Sequence, residues 1–449
     1  MVRAGEVSPR ELVELYVERI RRTDPELNAF RIVYEERALA EAEQAAGRLR
    51  AGDGRPLLGV PVAVKDNFDV AGDVTTHGTN AYGEPARSDS ELVRRLRAAG
   101  AIVLGRTHMP ELAIFPITES LAWGATRNPW SRDHSPGGSS GGSGAAVAAG
   151  LVGAAVGSDG GGSIRVPASC CGVFGLKPQR GRVSLAPSPE HWHGLTGAGG
   201  LTRGVLDSAL FLDAVAGNVE GDADRPPAPE RSFVEAARTP PGRLRIALSV
   251  KPVVRAKLDE EVLAAVHGTA GLLSSLGHEV RERDPDYGDI RPLFVPRWMH
   301  GIHEEAKGLA RPRQLERRTR QVVRLGGLWH PAVVKRARRA EAARTRRINE
   351  VFADHDVVLT PTLPQRPLRT GRWDGRSAPV AFVAAASYTA FTTPWNLTGQ
   401  PAASVPAGFT ASGLPIGVQL VGRPDDEATL LSLAAQMEAE RPWTDHRPP

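Results

Sequence analysis

Ser135-Pro136-Gly137-Gly138-Ser139-Ser140-Gly141-Gly142-Ser143-Gly144 is followed by an apolar stretch, residues 145–156. Gly157-Ser158-Asp159-Gly160-Gly161-Gly162-Ser163-Ile164-Arg165-Val166-Pro167 comes next. A Gly/Ser run alone reads as a flexible linker. Here the stretch between the two runs is apolar and must be buried, so both runs are pinned as turns on either side of one helix–strand unit. Glycine clusters at buried turns let the backbone approach a ligand closely and aim several N–H donors in one direction. No Gly-Lys pair completes a phosphate loop, and neither run has G-x-G-x-x-G spacing. Stabilising the oxyanion of an acyl transfer fits these turns better than binding phosphate.

Gly137 to Gly141 also matches G-x-S-x-G, which in an α/β-hydrolase would make Ser139 the nucleophile. That elbow follows a strand, whereas residues 128–136 are polar and broken by prolines. The base must then be sought elsewhere. Upstream, Leu57-Leu58-Gly59-Val60-Pro61-Val62-Ala63-Val64 reads as a buried strand, and it ends on Lys65. Only six of the 56 basic residues are lysines. A guanidinium stays protonated in a protein, while a buried ammonium has its pKa lowered and can serve as a neutral base. On these residues alone, an ion pair of Lys65 with Asp66 or Asp69 is an equal reading.

Working outward, helical periodicity covers residues 8–23 and 38–49, and a helix at 90–99 leads into a short strand at 101–104. Later strands fit 244–250, 356–360 and 415–421, with helices at 258–276 and 427–440. This alternation predicts a layered α/β protein. The proline-rich segment 217–241 reads as a long surface connection that could separate two lobes. No internal repeat is visible at periods of 20 to 50 residues.

Four motifs in order, Gly59-Val60-Pro61-Val62-Ala63-Val64-Lys65-Asp66-Asn67, the 136–143 run, the 158–167 run and Cys171-Gly172-Val173-Phe174-Gly175-Leu176-Lys177-Pro178, resemble the amidase signature family. So do Asn396-Leu397-Thr398-Gly399-Gln400-Pro401 and Pro415-Ile416-Gly417. The resemblance implies a central, mostly parallel or mixed β-sheet flanked on both faces by helices. It implies a single domain over 1–449, with a signature core at 57–215 and a variable substrate-pocket region at 285–389. It makes Ser163 the acyl-forming nucleophile, Ser139 a bridging serine on a cis peptide, and Lys65 the base, with no cofactor. It places the oxyanion hole at the N–H groups of Gly160, Gly161, Gly162 and Ser163. The Ser140 and Ser158 hydroxyls would hydrogen-bond Lys65, and Asp159 with Arg165 would form a charged pair fixing the turn. Members of the family carry another helix before the segment that begins here at Met1.

The A subunit of glutamine-dependent tRNA amidotransferase resembles the chain too, and it places an acidic residue shortly before the Asn-Leu-x-Gly motif. Between Arg376 and Pro424 this chain has no Asp or Glu, and Thr389 stands near the expected position. The expected substrate is therefore a neutral, partly apolar amide, with Phe391, Trp395, Trp298 and Trp329 lining its pocket. An esterase or aryl acylamidase would use the same acyl-enzyme and is the other alternative.

The remaining features bound the function. A 41% hydrophobic and 24% charged composition is that of a globular protein. No apolar run approaches the roughly 20 residues of a membrane helix, and the first residues carry no signal-peptide pattern, so a cytoplasmic protein is expected. Residues 307–347 hold fourteen Lys/Arg against Glu316 and Glu341, a local charge of +12. Interleaved Val322, Val323, Leu325, Leu328, Val333 and Val334 favour a helix pair with a solvated face over a nucleic-acid surface. Adjacent Cys170 and Cys171 read as buried thiols. His191 and His193 lack neighbouring ligands and read as loop residues at the pocket rim, with no metal. A homodimer is compatible with all of this.

Overall fold

The computed structural model describes residues 2–449. Its strands are β1 (Phe30–Val33), β2 (Pro61–Lys65), β3 (Ile102–Thr107), β4 (Glu119–Ser120), β5 (Gly124–Ala125), β6 (Ala154–Asp159), β7 (Phe174–Lys177), β8 (Gly197–Thr202), β9 (Arg245–Leu248), β10 (Glu279–Glu282), β11 (Val357–Pro361), β12 (Ala402–Phe409) and β13 (Pro415–Gly422). Eleven of them form one sheet in the order β1-β3-β2-β6-β8-β7-β12-β13-β11-β9-β10, and β4 and β5 make a separate hairpin. The large sheet is mixed as expected, and its balance lies toward antiparallel. Ladders β3-β2-β6 and β11-β9-β10 are parallel, and the six others, which include the centre, are antiparallel.

Strands buried on both faces read as continuous apolar runs whose alternate residues serve opposite layers. In β2, Val62 and Val64 enter one core and Ala63 the other; in β6, Val156 and Ala155 divide the same way. The first face is covered by helices Glu91–Ala98, Val205–Val215 and Glu427–Glu440, through Leu92, Leu96, Val205, Leu212, Leu430 and Leu433. The second carries helices Pro9–Leu27, Glu35–Arg50 and Gly141–Ala148 over β2 and β6. Further along that face, helices Arg291–Ala306 and Ala378–Tyr388 contribute to the same apolar cluster as Val358 and Val421 of β11 and β13.

Two expectations change. The strand read at 101–104 runs on to Thr107, because Arg106 is fully buried and paired with Asp66, a charged strand position that an apolar pattern does not show. The segment 217–241 contains a short helix, Phe233–Arg238, capped by the Ser232 hydroxyl and anchored by buried Phe233 and Ala236. Strands on both sides of this segment lie in the same sheet, so it does not divide the sheet into two. The basic stretch folds as helices Arg317–Gly326 and Pro331–Asn349, which bury Val322 and Val334 and leave Arg324, Lys335, Arg336 and Arg339 exposed. Among the described residues, no helix is long and apolar enough to cross a membrane.

Candidate active site

Lys65 closes β2 between β3 and β6, with no exposed surface. Its ammonium donates to Ser139 Oγ at 2.7 Å and to Ser158 Oγ at 2.8 Å. The ion pairs left open by sequence do not form. Asp66 faces Arg106 at 2.7 Å and Arg31 at 3.0 Å, and Asp69 accepts the Thr75 hydroxyl. Burial pushes Lys65 down to about 7, against the opposing pull of the Asp159 and Glu305 charges. A lysine held only by hydroxyls is one that can lose its proton near neutrality.

The first Gly/Ser turn presents Ser139, and the Gly138–Ser139 peptide is cis. A Cβ on Gly138 would lie 2.5 Å from the Ile117 carbonyl oxygen, so only glycine allows this approach. Helix Gly141–Ala148 then leads the chain away, and the Ser140 N–H donates to the Ser163 carbonyl at 3.2 Å, tying the two turns together. The Ser140 hydroxyl donates to the Ser158 carbonyl at 3.2 Å. It thus braces the backbone beneath Lys65 rather than bonding the ammonium, which corrects the expectation; Ser158 is the residue that reaches it.

The second turn is built around Asp159 at the end of β6. Its carboxylate accepts from Gly162 N at 2.7 Å and Ile164 N at 3.1 Å, and pairs with Arg165 at 2.8 and 2.9 Å. Arg165 also reaches the Thr392 carbonyl, Gln419 Oε1 and Asn396 Oδ1. Asn396 Nδ2 returns to the Asp159 carbonyl and carboxylate at 2.8 and 2.9 Å. Burial acts to raise the Asp159 pKa; Arg165, Asn396 and Lys177 outweigh it and hold the carboxyl well below its usual range. Gly162 N–H is thus committed to Asp159, while Gly161 and Ser163 line the cavity. Gly160 lies beneath Trp192, where a Cβ would come within 2.7 Å of the indole. Of the four N–H groups that the resemblance assigns to the oxyanion hole, that of Gly162 is engaged by Asp159.

Ser163, Gly161, Gly162 and Gly138 open onto a cavity of about 130 Å³. Its walls are mostly apolar, with Phe115, Trp192, Phe294, Trp298 and Phe382 as the aromatic surfaces. Arg291 is the one charged lining residue, and it is paired with Asp289 at 2.8 Å. Trp298 is thus in the pocket. Phe391 and Trp395 are not: both are buried in the core, where Trp395 packs edge-on against Tyr287. On that segment Thr389 and Thr393, four residues apart, face the cavity instead. Trp329 also lies off the lining, its indole N–H directed at Met299 Sδ. Trp192, Phe115, Phe294 and Phe382 were missed by sequence reasoning because four separate segments, two loops and two helices, bring them together.

The remaining candidates have settled environments. Burial pushes the Cys170 thiol up to about 12 and Cys171 upward as well, so neither is a thiolate at neutral pH. His191 Nε2 lies 3.2 Å from Glu305, and His193 Nε2 lies 3.0 Å from His300 Nδ1. Among the described residues, no group of three or more His, Cys, Asp or Glu is arranged to hold a metal ion.

The family model for amidases matches residues 11–431. The chain belongs to the amidase family. This amidase is 50% identical to AmiB2 of Mycobacterium tuberculosis over 100% of its own length and 96% of that protein. It is 38% identical to the 6-aminohexanoate-cyclic-dimer hydrolase of Paenarthrobacter ureafaciens, over 100% of this chain and 94% of that one. The solved structure of a 6-aminohexanoate cyclic dimer hydrolase with its substrate superposes with a TM-score of 0.93 at 35% identity, covering 100% and 96% of the two chains. The A component of the glutamyl-tRNA(Gln) amidotransferase of Thermotoga maritima superposes less closely, with a TM-score of 0.78 at 29% identity over 97% of this amidase and 92% of that chain. This amidase is therefore an amidohydrolase built on a large mixed sheet flanked by helices.

Proposed function

We propose that this amidase hydrolyses neutral, partly apolar carboxylic amides through an acyl-enzyme on Ser163, with Ser139 and Lys65 as the proton relay. The observation that carries the reading is the Lys65 ammonium, buried without a carboxylate partner and bonded to Ser139 Oγ at 2.7 Å. Neutral Lys65 takes the Ser139 proton as Ser139 takes that of Ser163, and Ser163 Oγ adds to the carbonyl carbon. The carbonyl π pair moves to oxygen, which the N–H groups of Gly161 and Ser163 receive; each such donor contributes about 3 kcal/mol. The proton then returns through Ser139 to the departing nitrogen as the C–N bond breaks. Water repeats the sequence on the acyl-enzyme, releasing carboxylate.

The apolar wall supports an uncharged acyl group, and the absence of a lining carboxylate among the cavity residues leaves the ammonium of free glutamine without a partner. An ester or an aryl acylamide would form the same acyl-enzyme. The test is to incubate wild type, Ser163→Ala and Lys65→Ala with aliphatic and aromatic primary amides, anilides, matched esters and glutamine. Release of ammonia or amine from the apolar amides, lost in Ser163→Ala and strongly reduced in Lys65→Ala, is the expected result. Efficient glutaminase activity with no turnover of apolar amides would replace this reading with the amidotransferase one.

A further inference from the structure

Trp192 and His193 are consecutive bulky residues in the left-handed region, with φ of 49° and 53°. Such strain persists only where surrounding contacts overdetermine it, and here they do. The His193 carbonyl accepts from Arg297 Nε at 3.0 Å and Nη2 at 2.6 Å and from Arg338 Nη1 at 2.9 Å. The Trp192 indole N–H donates to Glu305 Oε2 at 3.1 Å, and His191 stacks on the indole while bonding the same oxygen. The other carboxylate oxygen faces His77 Nδ1 at 2.9 Å. Glu305 is thus held at both oxygens, so the atom that grips the indole has a fixed place.

The indole occupies a slot between two glycines. A Cβ on Gly160 would come within 2.7 Å of its ring, and one on Gly301 within 2.8 Å of its Cδ1. Gly301 lies inside helix Arg291–Ala306, where glycine is unfavourable; the close approach of Trp192 accounts for it. One side of the ring therefore presses on the turn that leads to Ser163, while it packs edge-to-face with Trp298, ring centres 6.0 Å apart, along the cavity wall.

We infer that Trp192 is the specificity-determining wall of the acyl pocket, and that Glu305, clamped by His77 and His191, is its positioning residue. The inference rests on the reading that the cavity at Ser163 takes the acyl group. A fixed indole limits how acyl chains lie over Gly161 and Ser163. Once released, it can swing into the cavity or away from Gly160, and discrimination among chains weakens.

The experiment measures kcat and KM for p-nitroanilides of two- to eight-carbon acyl groups in wild type, Glu305→Gln, Glu305→Ala, Trp192→Phe and the Glu305→Ala/Trp192→Phe double variant. Glu305→Ala is expected to lower kcat/KM for the preferred chain by about tenfold, a loss of about 1.4 kcal/mol, and to flatten the chain-length profile. Glu305→Gln, which keeps an acceptor for the indole, should recover most of the profile. In the Trp192→Phe background, Glu305→Ala should cost less than about twofold, since coupled residues are not additive. An equal loss in both backgrounds, or an unchanged profile, overturns the inference. Calorimetric binding of hexanamide to Ser163→Ala, with and without Glu305→Ala, reads the wall without turnover: weaker binding on loss of Glu305 is expected, and equal binding counts against it. Absence of wild-type turnover would count against the proposed reaction, while the binding comparison would still judge the clamp.

Discussion

Lys65 Nζ and Ser139 Oγ lie 2.7 Å apart, both without exposed surface, at the junction of a parallel strand with a glycine turn. Water does not screen the pair, so in the proposed relay the protonation state of Lys65 decides whether Ser139 can pass on a proton.

Activity should accordingly rise with pH through about 7, where burial places Lys65, and level off above it. Lys65→Met should lower kcat by about 10²- to 10⁴-fold. The folded pKa lies below that of the unfolded lysine, 10.5, so the unfolded chain binds more protons between about pH 7 and 10.5. The lysine's destabilising effect is then full below pH 7 and relieved as pH rises through that window. Lys65→Met should raise the melting temperature at pH 6, with the gain shrinking toward pH 10. A kcat/KM profile flat from pH 5.5 to 9 under rate-limiting chemistry would contradict this assignment.

Gly162 has φ of +126°, and a Cβ there would come within 2.4 Å of Thr392 Oγ1. Gly162→Ala should therefore displace the turn that aims the Gly161 and Ser163 N–H groups, cutting kcat by about 10²- to 10³-fold. Circular dichroism should remain that of wild type. Retention of more than half the activity would argue that the turn does not hold the oxyanion.

Thr389 faces the cavity from a segment without acidic residues. Placing a carboxylate on this apolar wall is costly unless it is paired. Thr389→Asp should reduce kcat/KM for an uncharged aliphatic amide by about tenfold or more, and reduce it less for an acyl group bearing an ammonium. Equal effects on the two substrates would remove Thr389 from the acyl pocket.

Asp159 and Arg165 are a fully buried ion pair. Asp159→Asn leaves the Arg165 charge without its partner, which costs about 3–5 kcal/mol in comparable sites. Urea midpoints should fall far more than for the exposed control Arg21→Ala. Because the native Asp159 pKa is held below its ordinary 3.8, this contribution is complete above that pH and is lost as pH falls through the native value. The difference between wild type and Asp159→Asn should therefore narrow in acid; a constant difference from pH 7 to 2 would refute the pairing.

The proposed catalytic residues lie in short motifs, and it was the likeness of those motifs to the amidase signature that named Lys65, Ser139 and Ser163, since the residues alone left Lys65 equally open to an ion pair. A strand ending on a lone lysine and two glycine turns around a buried apolar unit need no distant residue to be recognised. The buried pair Asp159 and Arg165 is likewise six residues apart, and the resemblance implied it. The pocket was not legible in this way. Phe391 and Trp395 are large and close to the motif Asn396-Leu397-Thr398-Gly399, yet they face the core, and the small Thr389 and Thr393 face the cavity. Which side of that segment faces the cavity depends on how it packs over Tyr287, more than 100 residues away in sequence.

By itself, then, the sequence determined the α/β layering and the two glycine turns, since apolar alternation and glycine spacing act over a few residues, while likeness to the amidase signature singled out Lys65, Ser139 and Ser163 as the residues to test. Tertiary structure alone decided the antiparallel centre of the sheet and the loss of Gly162 N–H to Asp159. It also decided that Ser158 rather than Ser140 reaches Lys65, and placed Trp192 between Gly160 and Gly301. Each of these depends on which distant backbone groups and side chains meet, and that is settled by packing the whole chain rather than by the preferences of any segment.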